Sequence, residues 1–193
     1  MTAGELERKL LGLRPEEVTN YLLSEMDADA ASGRLTIFGS RVFMARPELF
    51  INVQKQLERT VGQSAKGIVY LAGERTGFDA TEFVARASQT PDMQANAEGA
   101  FRRMAEVWSV LGLGRVTFTG FTRAPLALDY RVENSVLAEA YGRSAKPVCH
   151  LFAGWGGGLL KALFNEEVLA EEVRCMAKGD PACEFEVRLV PSR

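Results

Sequence analysis

The spacing of apolar residues changes several times along the chain, and each change predicts a different element. Near-helical spacing predicts a short helix over 5–13 and a second helix that begins at Pro15. Residues 27–33 have the composition of a turn, and 34–45 reads as two short strands around Gly39, which is typical of a hairpin. Pro47 then begins a long helix with one apolar face.

The rest of the chain predicts two helical stretches, a hairpin, a buried helix and a final hairpin. Glycines at 73 and 77 indicate either a break in the first helical stretch or close packing of its backbone. The predicted elements are a helical stretch over 67–87, a helix over 91–111, strands over 115–122 and 127–136, a connecting loop over 138–147, a glycine-rich buried helix over 148–164 and two strands around the turn at 178–181.

The strands arrive in antiparallel pairs rather than in β-α-β alternation. This order favours the α+β class, with an antiparallel sheet of hairpins covered by helices. With 193 residues, the chain is long enough for one main domain. We expect an N-terminal helical segment over 1–33, a candidate for dimerisation, and a ligand-binding domain over 34–193.

Composition excludes some classes of protein. Lys and Arg number 23 against 25 Asp and Glu, so the basic excess of a general nucleic-acid binder is missing. No run of apolar residues approaches the roughly 18 that a membrane span needs, and the N-terminal residues lack an apolar signal-peptide core. A cytoplasmic protein without a membrane span is therefore expected.

The three cysteines are the strongest candidates for chemistry. Cys175 and Cys183 flank the final turn, and a hairpin centred near Gly179 would hold their Cβ atoms about 5 Å apart. Such a pair could share Zn²⁺ with Cys149 or form a disulfide, although three ordinary buried thiols are the alternative. The spacing leaves the fourth ligand open among Glu171, Glu172 and His150.

Aromatic and sulfur-bearing residues recur through the middle of the chain and could line an apolar pocket between helix and sheet. The alternative is that they simply fill the core. The glycine run over 154–158 lacks the pattern of a phosphate-binding loop, so it predicts close helix packing or room for a ligand. The candidate pocket residues are Phe101, Met104, Trp108, Phe118, Tyr130, Phe152 and Trp155.

A family resemblance enters at the C-terminal part of the chain. Cys149 with the following LFAGWGGGLLKAL, and then VLAEEVRCMAKGDPACEFEV, resembles the 4-vinyl reductase domain family of predicted hydrocarbon-binding proteins. The same signature is similar to the aromatic-sensing domains of bacterial phenol and xylene regulators, and more weakly to the fold of TRAPP vesicle-tethering subunits. The resemblance is sharpest over 148–188 and looser over 34–147.

The resemblance implies a metal site. In the aromatic sensors three Cys and one Glu hold zinc, which here implies Cys149, Glu172, Cys175 and Cys183 as the ligands of a structural Zn²⁺. Strict strand alternation would place Glu171 instead on the face of Cys175, so Glu172 requires a bulge in the strand. We follow the resemblance and keep Glu171 as the alternative.

The resemblance also implies a function. It predicts a homodimeric module that binds or senses a small hydrophobic, aromatic-like molecule. One alternative is an accessory or carrier protein in (bacterio)chlorophyll tetrapyrrole biosynthesis, and another is a scaffold or adaptor without a ligand. No catalytic residue is predicted, and no dinucleotide fingerprint supports a reductase, so binding is favoured over catalysis. The phenol sensors hold the ligand hydroxyl with a central-helix histidine, whereas this chain has Phe101, Met104 and Trp108 there.

Overall fold

The computed structural model describes residues 15–37, 39–88 and 94–191, so the helix predicted over 5–13 lies outside the described residues. Its first half contains α1 (Pro15–Ser24), β1 (Met26–Asp29), β2 (Arg34–Ile37), β3 (Ser40–Val42), α2 (Glu48–Val61) and α3 (Ser64–Ser88). The three strands form an antiparallel sheet with β2 in the centre. The pairing of β1 with β2 crosses the boundary that the sequence predicts after residue 33.

The second half builds the main sheet. Its four strands lie in the order β4-β5-β7-β6, and each neighbouring pair is antiparallel. The prediction of an α+β fold is confirmed. The elements are α4 (Ala97–Val110), β4 (Arg115–Arg123), β5 (Leu126–Glu133), α5 (Val136–Tyr141), α6 (His150–Phe164), β6 (Val168–Arg174), a 3₁₀ turn (Met176–Lys178) and β7 (Cys183–Leu189).

Three element predictions need correction. Residues 27–33 are not only a turn, because β1 occupies the start of that stretch. Helix α4 begins at Ala97 rather than at residue 91, and part of the difference lies outside the described residues. The predicted loop over 138–147 contains most of α5, because the Ser135 hydroxyl caps this helix by accepting from the Ala138 N–H.

The core lies between the main sheet and helices α4 and α6. On β5, residues alternate strictly between buried and half-buried positions, which is the pattern of a strand with one face against the core. Helix α6 is buried along most of its length, as its apolar sequence predicts. The largest fully buried side chains include Phe101 on α4 and Phe185 on β7.

Helices α3 and α6 touch through their backbones. A Cβ atom at Gly73 would collide with the carbonyl oxygen of Leu151, and one at Gly77 would collide with that of Trp155. From the other side, a Cβ at Gly154 would meet the carbonyl oxygen of Tyr70. These glycines therefore mark close packing and not breaks, and α3 runs without interruption through them.

The apolar face of α2 points outward. Ile51 and Gln54 are the buried residues of this helix, whereas Phe50 and Val53 are about half exposed, at 49% and 56%. Helix α3 also carries exposed apolar residues on the face opposite its glycines. We call the set the outer stripe: Leu49, Phe50, Val53 and Val61 on α2, with Ile68, Leu71 and Phe78 on α3. Within the described ranges, no helix has both the length and the apolar character to cross a membrane.

Candidate functional site

Three thiols and one carboxylate meet at one end of the main sheet. One ligand atom from each of Cys149, Glu172, Cys175 and Cys183 lies within 4.8 Å of all the others. Cys149 is the N-cap residue of α6, Cys175 follows β6, and Cys183 opens β7. All three cysteines are free thiols with no exposed surface, and the Sγ atoms of Cys149 and Cys183 are 3.6 Å apart.

A strand irregularity decides which glutamate joins the thiols. The pairing of β6 with β7 shifts register between Glu172 and Arg174. After this shift the Glu172 side chain lies on the same side as Cys175, and its Oε2 accepts a hydrogen bond of 2.8 Å from the Cys149 N–H. Glu171 is exposed and takes no part in the cluster. Of the two glutamates, the structure therefore brings Glu172 to the thiols.

Backbone and side-chain groups around the cluster fix its sulfur atoms. The Met176 N–H donates to the Sγ of Cys183 at 3.4 Å, and the Ser135 hydroxyl lies 3.6 Å from the Sγ of Cys149. Asp180 accepts a hydrogen bond of 2.8 Å from the Cys175 N–H. Sequence reasoning missed Ser135 and Asp180. Their local signals are the cap before VLAEAY and the acidic residue of the Lys-Gly-Asp-Pro turn.

The electrostatics of the cluster suit a cation. Hydrogen bonds with Cys175 and Cys183, together with burial, raise the pKa of Cys149, while the same sulfur contacts lower the pKa of Cys175. Burial raises the pKa of Glu172 to about 8. Four groups that are anionic when ionised thus share one buried space. The Oε1 atom of Glu172 is buried and has no hydrogen-bond partner among the described residues.

The donor set fits zinc. Zinc binds thiolate at about 2.3 Å, so two sulfurs of a tetrahedral site lie about 3.8 Å apart. The 3.6 Å between Cys149 and Cys183 is close to that separation and far from the roughly 2.0 Å of a disulfide. The unpartnered Glu172 oxygen is a free acceptor that an ion would use. Other thiophilic ions share the same donor preference.

The predicted pocket residues come together in the core as one packed aromatic cluster. Trp108 stacks on Trp155 with ring centroids 5.1 Å apart, and Phe101 lies 5.2 Å from Phe118. Phe152 lies 5.5 Å from Trp155, and Met104 is buried beside them. The space left inside this cluster is a void of about 10 Å³, lined by Trp108, Leu113, Val116, Tyr130, Val132, Phe152 and Trp155.

A larger cavity lies next to this void, between α4 and β4. It has a volume of about 450 Å³ and opens at the protein surface. Phe101, Ala105 and Phe118 line its apolar part, and charged residues of α4 stand at its edge. Val116 lines both the cavity and the void. Sequence reasoning missed Ala105 and Val116, because a small apolar residue carries no signal of a cavity.

Two polar side chains lie within the aromatic cluster. The hydroxyl of Tyr130 donates to the carbonyl oxygen of Phe152 at 2.5 Å, and burial raises its pKa well above the ordinary value, so it stays neutral. The indole Nε1 of Trp155 is buried and has no hydrogen-bond partner within the described parts of the chain. The aromatic cluster therefore contains one satisfied donor and one unsatisfied donor.

His150 lies outside the thiol cluster. Its imidazole borders a separate open groove of about 740 Å³, whose other walls include Lys66, Glu171 and Glu172. Burial, and then the charge of Lys66, lower the pKa of His150 below its ordinary value. Of the three residues left open as the fourth ligand, His150 and Glu171 thus face this groove without joining the four-residue cluster.

Comparison with known proteins supports the sequence resemblance. The family model of the 4-vinyl reductase domain matches residues 128–189, which contain all four residues of the thiol and carboxylate cluster. An uncharacterized protein of Methanocaldococcus jannaschii is 36% identical over 69 residues, which are 36% of this chain and 36% of that protein. A second uncharacterized protein of that organism is 27% identical over 93 residues, covering 48% of this chain and 55% of that protein. The matched regions thus span 36% and 55% of these curated relatives.

Solved structures share the fold at low identity. The phenol-responsive sensory domain of the transcription activator PoxR, solved with phenol, superposes with a TM-score of 0.75 at 19% identity, covering 90% of this chain and 89% of that domain. Subunit 3 of the trafficking protein particle complex from Naegleria fowleri, covalently bound to palmitic acid, gives a TM-score of 0.56 at 16% identity, covering 75% of this chain and 95% of that subunit. These similarities confirm the predicted relation to the fold of aromatic-sensing domains and TRAPP subunits.

Proposed function

We propose that this chain is a binding module for a small, largely apolar molecule, with a structural zinc site beside the binding region. The observation that carries the proposal is the cavity of about 450 Å³ between α4 and β4, next to the aromatic cluster. Its volume lies within the range of roughly 300–1,000 Å³ that small-molecule sites occupy. The similarity to a sensory domain solved with phenol supports the same interpretation.

The ligand reaches the aromatic cluster from this cavity past Val116. The inner void has a volume of about 10 Å³, so a molecule of ring size must displace α4 or reorient side chains to enter. Helix α4 packs mainly on β4 and α1, so it is attached to the main sheet along one edge. A partly formed site of this kind opens when the bound state gains more contacts than the closed state loses.

Zinc would be held by Cys149, Glu172, Cys175 and Cys183. A site whose four positions are all taken by protein ligands is structural, because no position remains for water or substrate. The ion would supply a cross-link between the start of α6, the end of β6 and the start of β7. This cross-link would fix α6, which carries Phe152 and Trp155 into the aromatic cluster. We therefore assign binding, and no reaction, to this region.

A pair of variants with opposite effects tests the binding function. Ala105→Leu adds three carbons to the wall of the cavity, and Val116→Ala removes two between the cavity and the void. We expect isopropylbenzene to bind the wild type in calorimetric titration, the Val116 variant more tightly and the Ala105 variant more weakly. Equal affinity for all three proteins, or no binding to any of them, would contradict the proposal.

Native mass spectrometry of the purified protein, repeated after denaturation, separates the alternatives. The proposed function predicts one zinc ion per chain and a small apolar adduct that denaturation releases. A porphyrin-type pigment in place of that adduct would favour the tetrapyrrole carrier. A chain with zinc and no adduct, together with failed titrations, would favour the scaffold.

We further propose that the outer stripe is covered by a second copy of this chain. Glu48 lies in the first turn of α2 and Arg59 in the last turn, so antiparallel pairing of two α2 helices about a twofold axis near Val53 places each Glu48 opposite an Arg59. The same pairing sets the exposed Phe50 against the half-buried Leu57 of the other copy. Charge and apolar pattern are thus both self-complementary in this helix.

Light scattering after size exclusion tests this dimer. Val53→Glu places a charge at the centre of the proposed interface and should give a monomer. Val173→Glu changes another exposed valine, on β6 and outside the outer stripe, and should leave a dimer. A wild type that is monomeric at micromolar concentration, or a Val53 variant that stays dimeric, would refute the proposed interface.

A further inference from the structure

The indole N–H of Trp155 is a buried donor without a partner among the described residues. Most buried polar groups in proteins are hydrogen-bonded, so an exception calls for a reason. Trp155 also lines the void within the aromatic cluster, where its ring stacks on Trp108. Its unpartnered donor therefore belongs to a residue that a ligand of this cluster would touch.

The polar groups near the void leave little choice of hydrogen bond. Tyr130 is the other polar side chain in the lining, and its hydroxyl already donates to the Phe152 carbonyl oxygen. The remaining lining consists of apolar side chains. A ligand that enters finds the Trp155 N–H ready to donate, whereas the nearby Phe152 carbonyl oxygen is already engaged.

A water molecule is a poor substitute for such a ligand. The void has about the volume that one water needs, but a buried water typically makes about three hydrogen bonds. Trp155 would donate one, and the Tyr130 oxygen could accept a second. Since the other walls are apolar, the third bond has no partner in the described lining.

We infer that the ligand class is an apolar molecule that carries a hydrogen-bond acceptor and no donor, such as an aryl ketone, an aryl ether or a quinone, and that Trp155 donates to it. This inference rests on the proposed function, since it specifies the ligand of the same site. A ligand hydroxyl would also accept from Trp155, but it would bring a donor of its own into walls that are otherwise apolar. The expected preference is therefore ketone over alcohol and ketone over hydrocarbon.

Three molecules of nearly the same shape test the inference. Acetophenone carries an acceptor, 1-phenylethanol carries an acceptor and a donor, and isopropylbenzene carries neither. In calorimetric titration of the wild type we expect acetophenone to bind about fivefold to tenfold more tightly than the other two, which is the gain of one net hydrogen bond. Trp155→Phe should remove this preference while isopropylbenzene still binds.

Trp108→Phe is the matched control, because it makes the same change at the ring that stacks on Trp155. This control should keep the ratio of acetophenone affinity to isopropylbenzene affinity even if both affinities change. In the wild type, the ¹⁵N–¹H signal of the Trp155 indole should move with acetophenone far more than with isopropylbenzene. That spectrum decides the matter without a variant if Trp155→Phe does not fold.

The outcomes separate the inference from the proposed function. Binding of all three molecules with equal affinity would overturn the inference and leave the binding module standing. Tightest binding of 1-phenylethanol, or an acetophenone preference that survives in Trp155→Phe, would also overturn it. Failure of all three molecules to bind would refute the proposed function itself.

Discussion

The backbone contact between α3 and α6 makes a sharp prediction for two glycines of the same helix. Gly73 and Gly67 both lie within α3. A Cβ at Gly73 would collide with the Leu151 carbonyl oxygen, whereas a Cβ at Gly67 would meet no atom within 4 Å. Alanine at the two positions should therefore change stability in opposite directions.

The magnitudes follow from the same geometry. Alanine in place of an unhindered helical glycine stabilises by about 0.5–1 kcal/mol. At Gly73 that gain is outweighed, because the colliding atom belongs to a backbone that cannot rotate away, and overpacking costs roughly 1–3 kcal/mol or more. We expect a net loss of about 2 kcal/mol for Gly73→Ala. For a domain of this size, 1 kcal/mol corresponds to about 2–4 °C in Tm.

Urea titration followed by circular dichroism measures both variants against the wild type. Gly73→Ala should unfold about 4–8 °C lower in a parallel thermal scan, and Gly67→Ala about 1–4 °C higher. A Gly73 variant as stable as the Gly67 variant would refute the close contact of the two helices. The result would then also remove the reason for placing α6 so near to α3.

Three further outcomes are expected. Cys183→Ser should reduce bound zinc from one ion per chain to a small fraction by native mass spectrometry, and EDTA should then lower the Tm of the wild type but not that of the variant. Tyr141 donates a hydrogen bond of 2.8 Å to Glu58, and burial with this bond raises its pKa to about 12. A pKa raised in the folded state means that the protonated phenol stabilises the fold below its ordinary pKa, near pH 10, and that this contribution is lost as pH rises to about 12. Alkaline unfolding curves should therefore show Tyr141→Phe less stable than the wild type at pH 8 and equally stable near pH 12; a constant difference would contradict the assignment. Gln54 is buried and donates to the Val148 carbonyl oxygen at 3.0 Å, so Gln54→Leu should cost about 1–3 kcal/mol in urea titration, and a neutral result would show that this carbonyl finds another partner.

Sequence reasoning reached the fold class and the membership of the thiol cluster by different routes. Paired strands and their turns follow from short-range patterns, so β4, β5 and the final hairpin are close to the predicted ranges. The spacing alone predicts Cys175 opposite Cys183, whereas Cys183 pairs in the sheet with Val132 and Arg174 pairs with Glu184. The contact among the sulfurs depends on a three-dimensional corner that spacing does not encode.

The choice between Glu171 and Glu172 shows a limit of periodicity. Alternation along a strand assumes an unbroken register, and it favours Glu171. The register shift after Glu172 reverses that assignment. A shift of this kind depends on pairing with β7, so the residues of β6 by themselves do not reveal it.

Amphipathic patterns likewise show that a helix has an apolar face but not what the face touches. The sequence predicts such a face for helix α2, and the structure exposes Phe50 and Val53 on it. The aromatic residues present the reverse case. Their types fit a pocket or a filled core equally well, and only the ring distances show how closely Trp108 and Trp155 pack.

The touching backbones of α3 and α6 also constrain how the molecule would transmit a signal. Gly77 lies directly against the carbonyl group of Trp155, so no layer of side chains separates the two helices at that point to absorb a shift. Whatever displaces the indole and its helix must carry α3 along as one rigid lever. The far side of that lever bears Leu71 and Phe78, which are exposed. Occupancy deep in the core would thus be legible at the outer surface, without any loop as intermediary.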